Sequence, residues 1–142
     1  MKVFATAFVL FAAHTFCLNV HAQSTDFVGS WKIDFDKTVQ LLSTDSRVDY
    51  DSMDVSVKNQ MKAQLINQRF NFNADGTFSA GVQGGTFHNG NWQTNNSSLI
   101  LKYDQGYELT QEYQQPNSRT IILRVAPASS PALIKKIHLI RN

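Results

Sequence analysis

Phe27-Val28-Gly29-Ser30-Trp31-Lys32-Ile33-Asp34-Phe35 is the stretch whose reading decides the fold class. Trp31, Ile33 and Phe35 fall on one face, Lys32 and Asp34 on the other. Alternation with period two is the signature of a strand with one buried side. The same grammar returns downstream and holds to the end of the chain. Phe70 and Phe72 alternate with Arg69 and Asn71, and Asn73-Ala74-Asp75-Gly76 supplies a hairpin turn. Thr77 to Val82 leads to a break at Gly84-Gly85, and Thr86 to Thr94 carries Phe87 and Trp92 to a turn at Asn95-Asn96-Ser97. Leu99, Leu101 and Tyr103 share a face, Asp104-Gln105-Gly106 turns the chain, and Tyr107, Leu109 and Tyr113 continue to a break at Pro116-Asn117-Ser118. Thr120 to Ala126 and Leu133 to Arg141 close the series, separated by a loop bounded by Pro127 and Pro131. Short connections pair sequence neighbours antiparallel. About eight such strands make an all-β, up-and-down barrel.

One segment breaks the pattern. Between the first and second strands, residues 38–67 form a helical insertion. Val39, Leu41 and Leu42 suggest a short helix or turn, followed by a polar, acidic stretch from Ser43 to Asp51. Met53, Val57, Met61 and Leu65 then recur every fourth residue, which predicts one amphipathic helix of about 14 residues, with Asp51, Ser52 and Asp54 available to cap its start.

The N-terminus reads as a secretion signal over residues 1–22. Lys2 supplies the positive start, an apolar run follows from Val3 to Ala13, and Val20-His21-Ala22 is a small-x-small cleavage pattern. Cleavage after Ala22 leaves one domain, residues 23–142, in the periplasm or outside the cell. The chain has 142 residues, a formal charge of +2 and one cysteine, Cys17, which departs with the leader. Phe16 stands before it where a lipoprotein would carry a small residue. The domain is then a near-neutral, cysteine-free chain held by its core alone. Such a composition excludes a disulfide scaffold and a membrane span in the mature chain, and it argues against nucleic acid, which wants a concentrated basic face.

Three stretches carry a family resemblance. Phe27-Val28-Gly29-Ser30-Trp31-Lys32-Ile33 resembles the Gly-x-Trp opening strand of the lipocalin and fatty-acid-binding-protein superfamily. Phe70-Asn71-Phe72-Asn73-Ala74-Asp75-Gly76-Thr77-Phe78 and Gly90-Asn91-Trp92 resemble small bacterial lipocalin-like domains. The resemblance implies an exported calycin-type barrel with helices at its mouth and a small apolar or amphipathic ligand. It also implies that Trp31 plugs one end beneath a late-strand cation, either Arg141 or Arg124. The last strand, Ile137-His138-Leu139-Ile140-Arg141, lacks the Arg-x-Tyr pair with which fatty-acid-binding proteins hold a carboxylate. Fold therefore transfers better than ligand class.

Within an eight-stranded barrel the interior either fills with side chains or holds one small ligand. Candidate ligand contacts are Tyr103, Tyr107, Gln111 and Tyr113 on the inward phase, Arg124 as an anion anchor if it faces inward, and Met53, Val57 and Met61 as an adaptable lid. The competing reading is an interaction or inhibitor module with a solid aromatic core, offering Ile100, Ile122 and Ile140 to a partner. Catalysis has little support. No nucleophile elbow or phosphate loop is present, and His88 and His138, the two histidines after the leader, are expected at the surface. Two isolated histidines fall short of a zinc site, and Asp45, Asp49, Asp51 and Asp54 lack the glycine and terminal glutamate of a calcium loop. No metal and no cofactor are expected, and the domain reads as a monomer.

Overall fold

The structure is a computed structural model describing residues 25–127 and 130–142. The expected leader and its cleavage point lie outside these residues. Eight strands follow in chain order: β1 (Gly29–Ile33), β2 (Gln68–Phe72), β3 (Thr77–Val82), β4 (Phe87–Asn95), β5 (Ser98–Tyr103), β6 (Glu108–Asn117), β7 (Thr120–Arg124) and β8 (Lys136–Arg141). Each pairs antiparallel with its sequence neighbour, and β1 pairs with β8 to close the barrel. This topology sorts the connections by end. The turns β2–β3, β4–β5 and β6–β7 lie at the end where β1 begins. The helices, the turns β3–β4 and β5–β6, and the long β7–β8 loop lie at the other.

The first end is sealed by aromatic packing. A 3-10 turn, Thr25–Phe27, tucks Phe27 beneath the barrel, where it is fully buried. Its ring lies 4.9 Å from that of Tyr113, 5.3 Å from Phe72 and 5.7 Å from Trp92. Pairs of this kind add about 0.5–1.5 kcal/mol each beyond the area they bury. Trp31 is also fully buried and donates its indole N–H to the Phe27 carbonyl at 2.8 Å.

Arg141, opposite Trp31 in the β1–β8 register, lays its guanidinium 4.8 Å from that ring. It donates to the carbonyls of Asp26 (2.6 Å), Val28 (3.0 Å) and Ser118 (3.1 Å). Of the two cations open to this role in the sequence, Arg141 fills it. Gly29 makes the approach possible: its φ is +141°, and a Cβ there would sit 3.2 Å from the Arg141 Nη1. A second glycine serves the wall above. A Cβ on Gly90 would lie 2.0 Å from the Lys102 carbonyl and 2.8 Å from the Phe78 ring.

The insertion is helical, but its parts differ from the expectation. β1 ends at Ile33 instead of Phe35, because Asp34 caps a helix, α1 (Phe35–Gln40), by accepting from the Lys37 N–H at 3.0 Å. The acidic stretch is itself a helix, α2 (Thr44–Ser52), capped by Ser43. Its one buried residue is Ser46, so no apolar stripe announces it. The expected 14-residue helix begins later, as α3 (Val55–Ile66), with Met53 outside it at the α2 C-cap. Asp54 takes the N-cap position without a side-chain capping bond, and neither Asp51 nor Ser52 caps α3. Lys62 holds α3 against α1, 3.5 Å from the Asp36 carboxylate and 5.5 Å from the centre of the Phe35 ring. Among the described residues no helix is long and apolar enough to cross a membrane. The break expected at Pro116 is absorbed within β6, where the register slips between Gln114 and Asn117. A bulge is where a residue lacking an N–H is tolerated.

Where β1 turns into α1, the β8 ladder loses a partner. The Asp34 carbonyl that would receive the His138 N–H is taken by Thr38 N at 2.9 Å. The fully buried Thr38 hydroxyl accepts from His138 N instead, at 3.0 Å. His138 is therefore half-buried under α1, not exposed as expected, and its Nδ1 is buried with no partner among the described residues. Burial lowers its pKa from the ordinary 6.5; Asp34 opposes this shift and Lys37 adds to it.

Two outcomes follow from these packings. Arg141→Met should lower the unfolding free energy by about 2 kcal/mol, through the lost cation–π contact on Trp31 and the lost charge-assisted bonds to three carbonyls, of which that of Val28 is part-buried. Arg124→Met, which breaks a solvent-facing pair with Glu112, should cost less than about 1 kcal/mol. Urea titration separates the two, and equal losses would contradict the assigned role of Arg141. The folded state keeps His138 neutral, so the unfolded chain takes up the proton more readily. Stability should be full above pH 6.5 and fall as pH drops through 6.5 toward the lowered folded value. His138→Leu should flatten that slope between pH 7.5 and 5.5 in the same titrations.

Candidate functional site

Inward phase ordinarily means burial, and at the sealed end it does. At the helical end it does not. Leu101 and Leu123 are 4% and 2% exposed, yet residues of the same phase nearer the rim are open: Val82 at 46%, Tyr107 at 51%, Leu109 at 40% and Val125 at 38%. The barrel is packed solid in its lower half and open at its mouth. The question of a filled or hollow interior thus has a different answer at each end.

The mouth continues into a cleft of about 290 Å³ lined by Gln68 and Phe70 of β2, Ala80 and Val82 of β3, Thr86, His88, Tyr103 and Tyr107. The β2–β3–β4 register explains the set. Gln68 is opposite Val82, Phe70 opposite Ala80, and Ala80 opposite His88, so all five point to the same side of the sheet. Tyr103 and Tyr107 flank the β5–β6 turn with rings stacked at 4.3 Å and 15°, and Phe78 meets Tyr103 edge-on at 5.0 Å. Burial, and next to it Tyr107, raises the Tyr103 hydroxyl above its ordinary 10.0, so it stays a neutral donor. Gln105 Nε2 lies 3.4 Å from His88 Nδ1 at the cleft edge.

A second cleft, of about 520 Å³, adjoins the first and shares Gln68 and Val82 with it. Its far wall is α3, through Gln60, Ala63 and Gln64, followed by Asn67. The spacing of these residues places them on one helical face. This is not the Met53–Val57–Met61–Leu65 stripe. Leu65 packs against the core and Met61 is half-buried, while Val57 is 45% exposed.

The candidate ligand contacts therefore separate. Tyr103 and Tyr107 line the mouth cleft. Gln111 does face inward, opposite Leu99, but below the cleft and outside its lining. Tyr113 belongs to the sealed end: its ring packs on Phe27 and its hydroxyl donates to the Asn96 carbonyl at 3.1 Å. Met53, Val57 and Met61 line neither cleft. Arg124 does not face inward. It is paired with Glu112 at 2.8 Å, beside Ile122 and Lys136 in an outer-face groove of about 150 Å³. The reason is phase, since Leu123 takes the inward place.

Gln60, Gln64, Gln68, Phe70 and His88 complete the site without having been singled out for it. A run of glutamines on one helix face reads as solvated, and only the absence of charge along it could have drawn attention. His88 is exposed, as expected, yet shares the cleft side of β4 with Gly90 and Trp92. Far from it, His138 lies on β8 under α1, and the described residues hold no cluster of three or more His, Cys, Asp or Glu fit for a metal.

Neither a family model nor a curated protein matches the chain. Among solved structures it is similar to the crystal structure of a DUF4847 family protein from Bacteroides vulgatus ATCC 8482. That likeness covers 86% of this chain and 94% of the other, at 16% identity and a TM-score of 0.46.

Proposed function

We propose that this protein is an exported, lipocalin-like barrel that binds a small amphipathic molecule at its open mouth. One observation carries the reading. Val82, Tyr107, Leu109 and Val125 have the inward phase of core residues yet stand in solvent around one end. Val82 and Tyr107 line the mouth cleft, with Leu109 and Val125 exposed at the same end, and apolar side chains there gain free energy when a ligand displaces water from them, about 25 cal/mol per Å² covered. The sealed lower half supplies rigidity, so the mouth is held in shape before a ligand arrives and little ordering cost falls on binding. The alternative of an interaction module rests on aromatic filling of the core and on the outer faces of Ile100, Ile122 and Ile140; the exposed inward-phase residues at the mouth favour the ligand reading over it.

Nile red, a neutral apolar dye, should gain fluorescence and shift to the blue on titration with the protein. Leu109→Ser and Val125→Ser together should weaken that binding about tenfold, or ~1.4 kcal/mol, and leave the unfolding temperature within a few degrees. An unchanged affinity in the double variant would place the dye elsewhere and remove the support for this reading. Export is checked separately by N-terminal sequencing of the protein from a bacterial host's periplasm, where the chain should begin at Gln23.

A further inference from the structure

We infer that the molecule held at the mouth is a neutral saccharide, recognised by stacking on Tyr107 and by the amides of α3 and β2; this rests on the mouth-binding reading above. Three features of the paired clefts lead there. The first is charge. Among the described residues no Asp, Glu, Lys or Arg lines either cleft. A carboxylate, phosphate or ammonium entering them would give up hydration without a counter-charge, which is costly.

The second is the aromatic platform. Tyr107 is stacked on Tyr103, which Phe78 props from its edge. Tyr107 is half-exposed while its stacking partner holds it flat. A flat, fixed ring open on one side suits the apolar C–H face of a pyranose.

The third is the polar complement. Gln60 and Gln64 stand one helical turn apart on α3, with Gln68 across the cleft on β2. Among the described residues none of the three makes a side-chain hydrogen bond to protein. Asn67 spends its NH2 on the Ala63 carbonyl at 2.9 Å. Each glutamine amide offers donors and an acceptor together, and a sugar hydroxyl is likewise both. A row of such amides matches adjacent hydroxyls without favouring either charge.

The shape of the clefts decides between a sugar and a lipid. Both are open to solvent rather than enclosed. An acyl chain lying there would keep much of its surface in water, whereas apolar ligands bind where most of theirs is covered. A saccharide keeps its outer hydroxyls hydrated and loses little by exposure.

The test uses the full chain on an array of neutral and acidic glycans, followed by calorimetric titration of the best-bound neutral oligosaccharide. Neutral glycans should be retained over acidic ones. Tyr107→Ala and Gln64→Ala should each weaken the titrated sugar at least tenfold, with unfolding temperatures unchanged, while Glu112→Ala on the outer face leaves it unaltered. Retention of acidic glycans alone, of no glycan, or of neutral glycans indifferent to both cleft substitutions would overturn the inference. Nile red binding that responds to the Leu109 and Val125 substitutions, with the array silent, would overturn the saccharide and leave the mouth-binding reading standing. Silence of both probes would remove both.

Discussion

The guanidinium of Arg141 is the constraint on which the rest depends. It lies over the Trp31 ring and binds carbonyls from the chain before β1 and from the β6–β7 turn. An up-and-down barrel is closed by one strand pairing that joins the two ends of the series rather than sequence neighbours, between its first and last strands. Here that closure is held by a side chain of β8 reaching across β1 at the register position where Trp31 and Arg141 are opposite. The arrangement also fixes the 3-10 turn, and through it Phe27, as the floor of the barrel. Gln115 adds a bond to the same Asp26 carbonyl, at 3.1 Å.

A barrel so sealed at one end has a rigid lower half and can leave the upper half unfilled. The aromatics do not spread evenly through the interior. Phe27, Trp31, Phe72, Trp92 and Tyr113 gather at the floor, whereas Tyr103 and Tyr107 stand at the mouth. Stability and recognition are thereby placed at opposite ends. That separation lets mouth residues stay exposed and polar, since the fold does not depend on burying them. α3 follows the same logic. It has no buried residue and is held by Lys62 on α1 and by Leu65 against the core, which frees its glutamine face for the cleft.

Much of the architecture was legible in the chain. Alternation placed all eight strands, and phase alone put Trp31, Ile33, Phe72, Leu99 and Leu101 on the buried face. The turns announced themselves through glycine, asparagine and aspartate, because those residues accept backbone conformations that others resist. The errors fall where a local signal had a tertiary competitor. Phe35 continues the alternation of β1, but the Asp34 cap turns it into a helix. The α2 segment has no apolar stripe, and its helicity rests on capping instead. Met53 keeps the four-residue spacing of α3 while lying outside it, since spacing does not reveal a break between two helices.

By itself, then, the sequence determined strand number, strand order, the place of the insertion and the alternation of faces along most strands, because a pleated strand assigns sides with period two until a bulge such as that in β6 resets it. It also carried the Gly-x-Trp opening and both cations that could meet Trp31. Only the tertiary structure decided between Arg141 and Arg124, showed which inward residues are buried and which stand open, and set Gln60 and Gln64 beside Gln68. Those matters depend on what lies across the barrel from a residue and how far along the axis it sits. Neither distance is written in the local pattern of the chain.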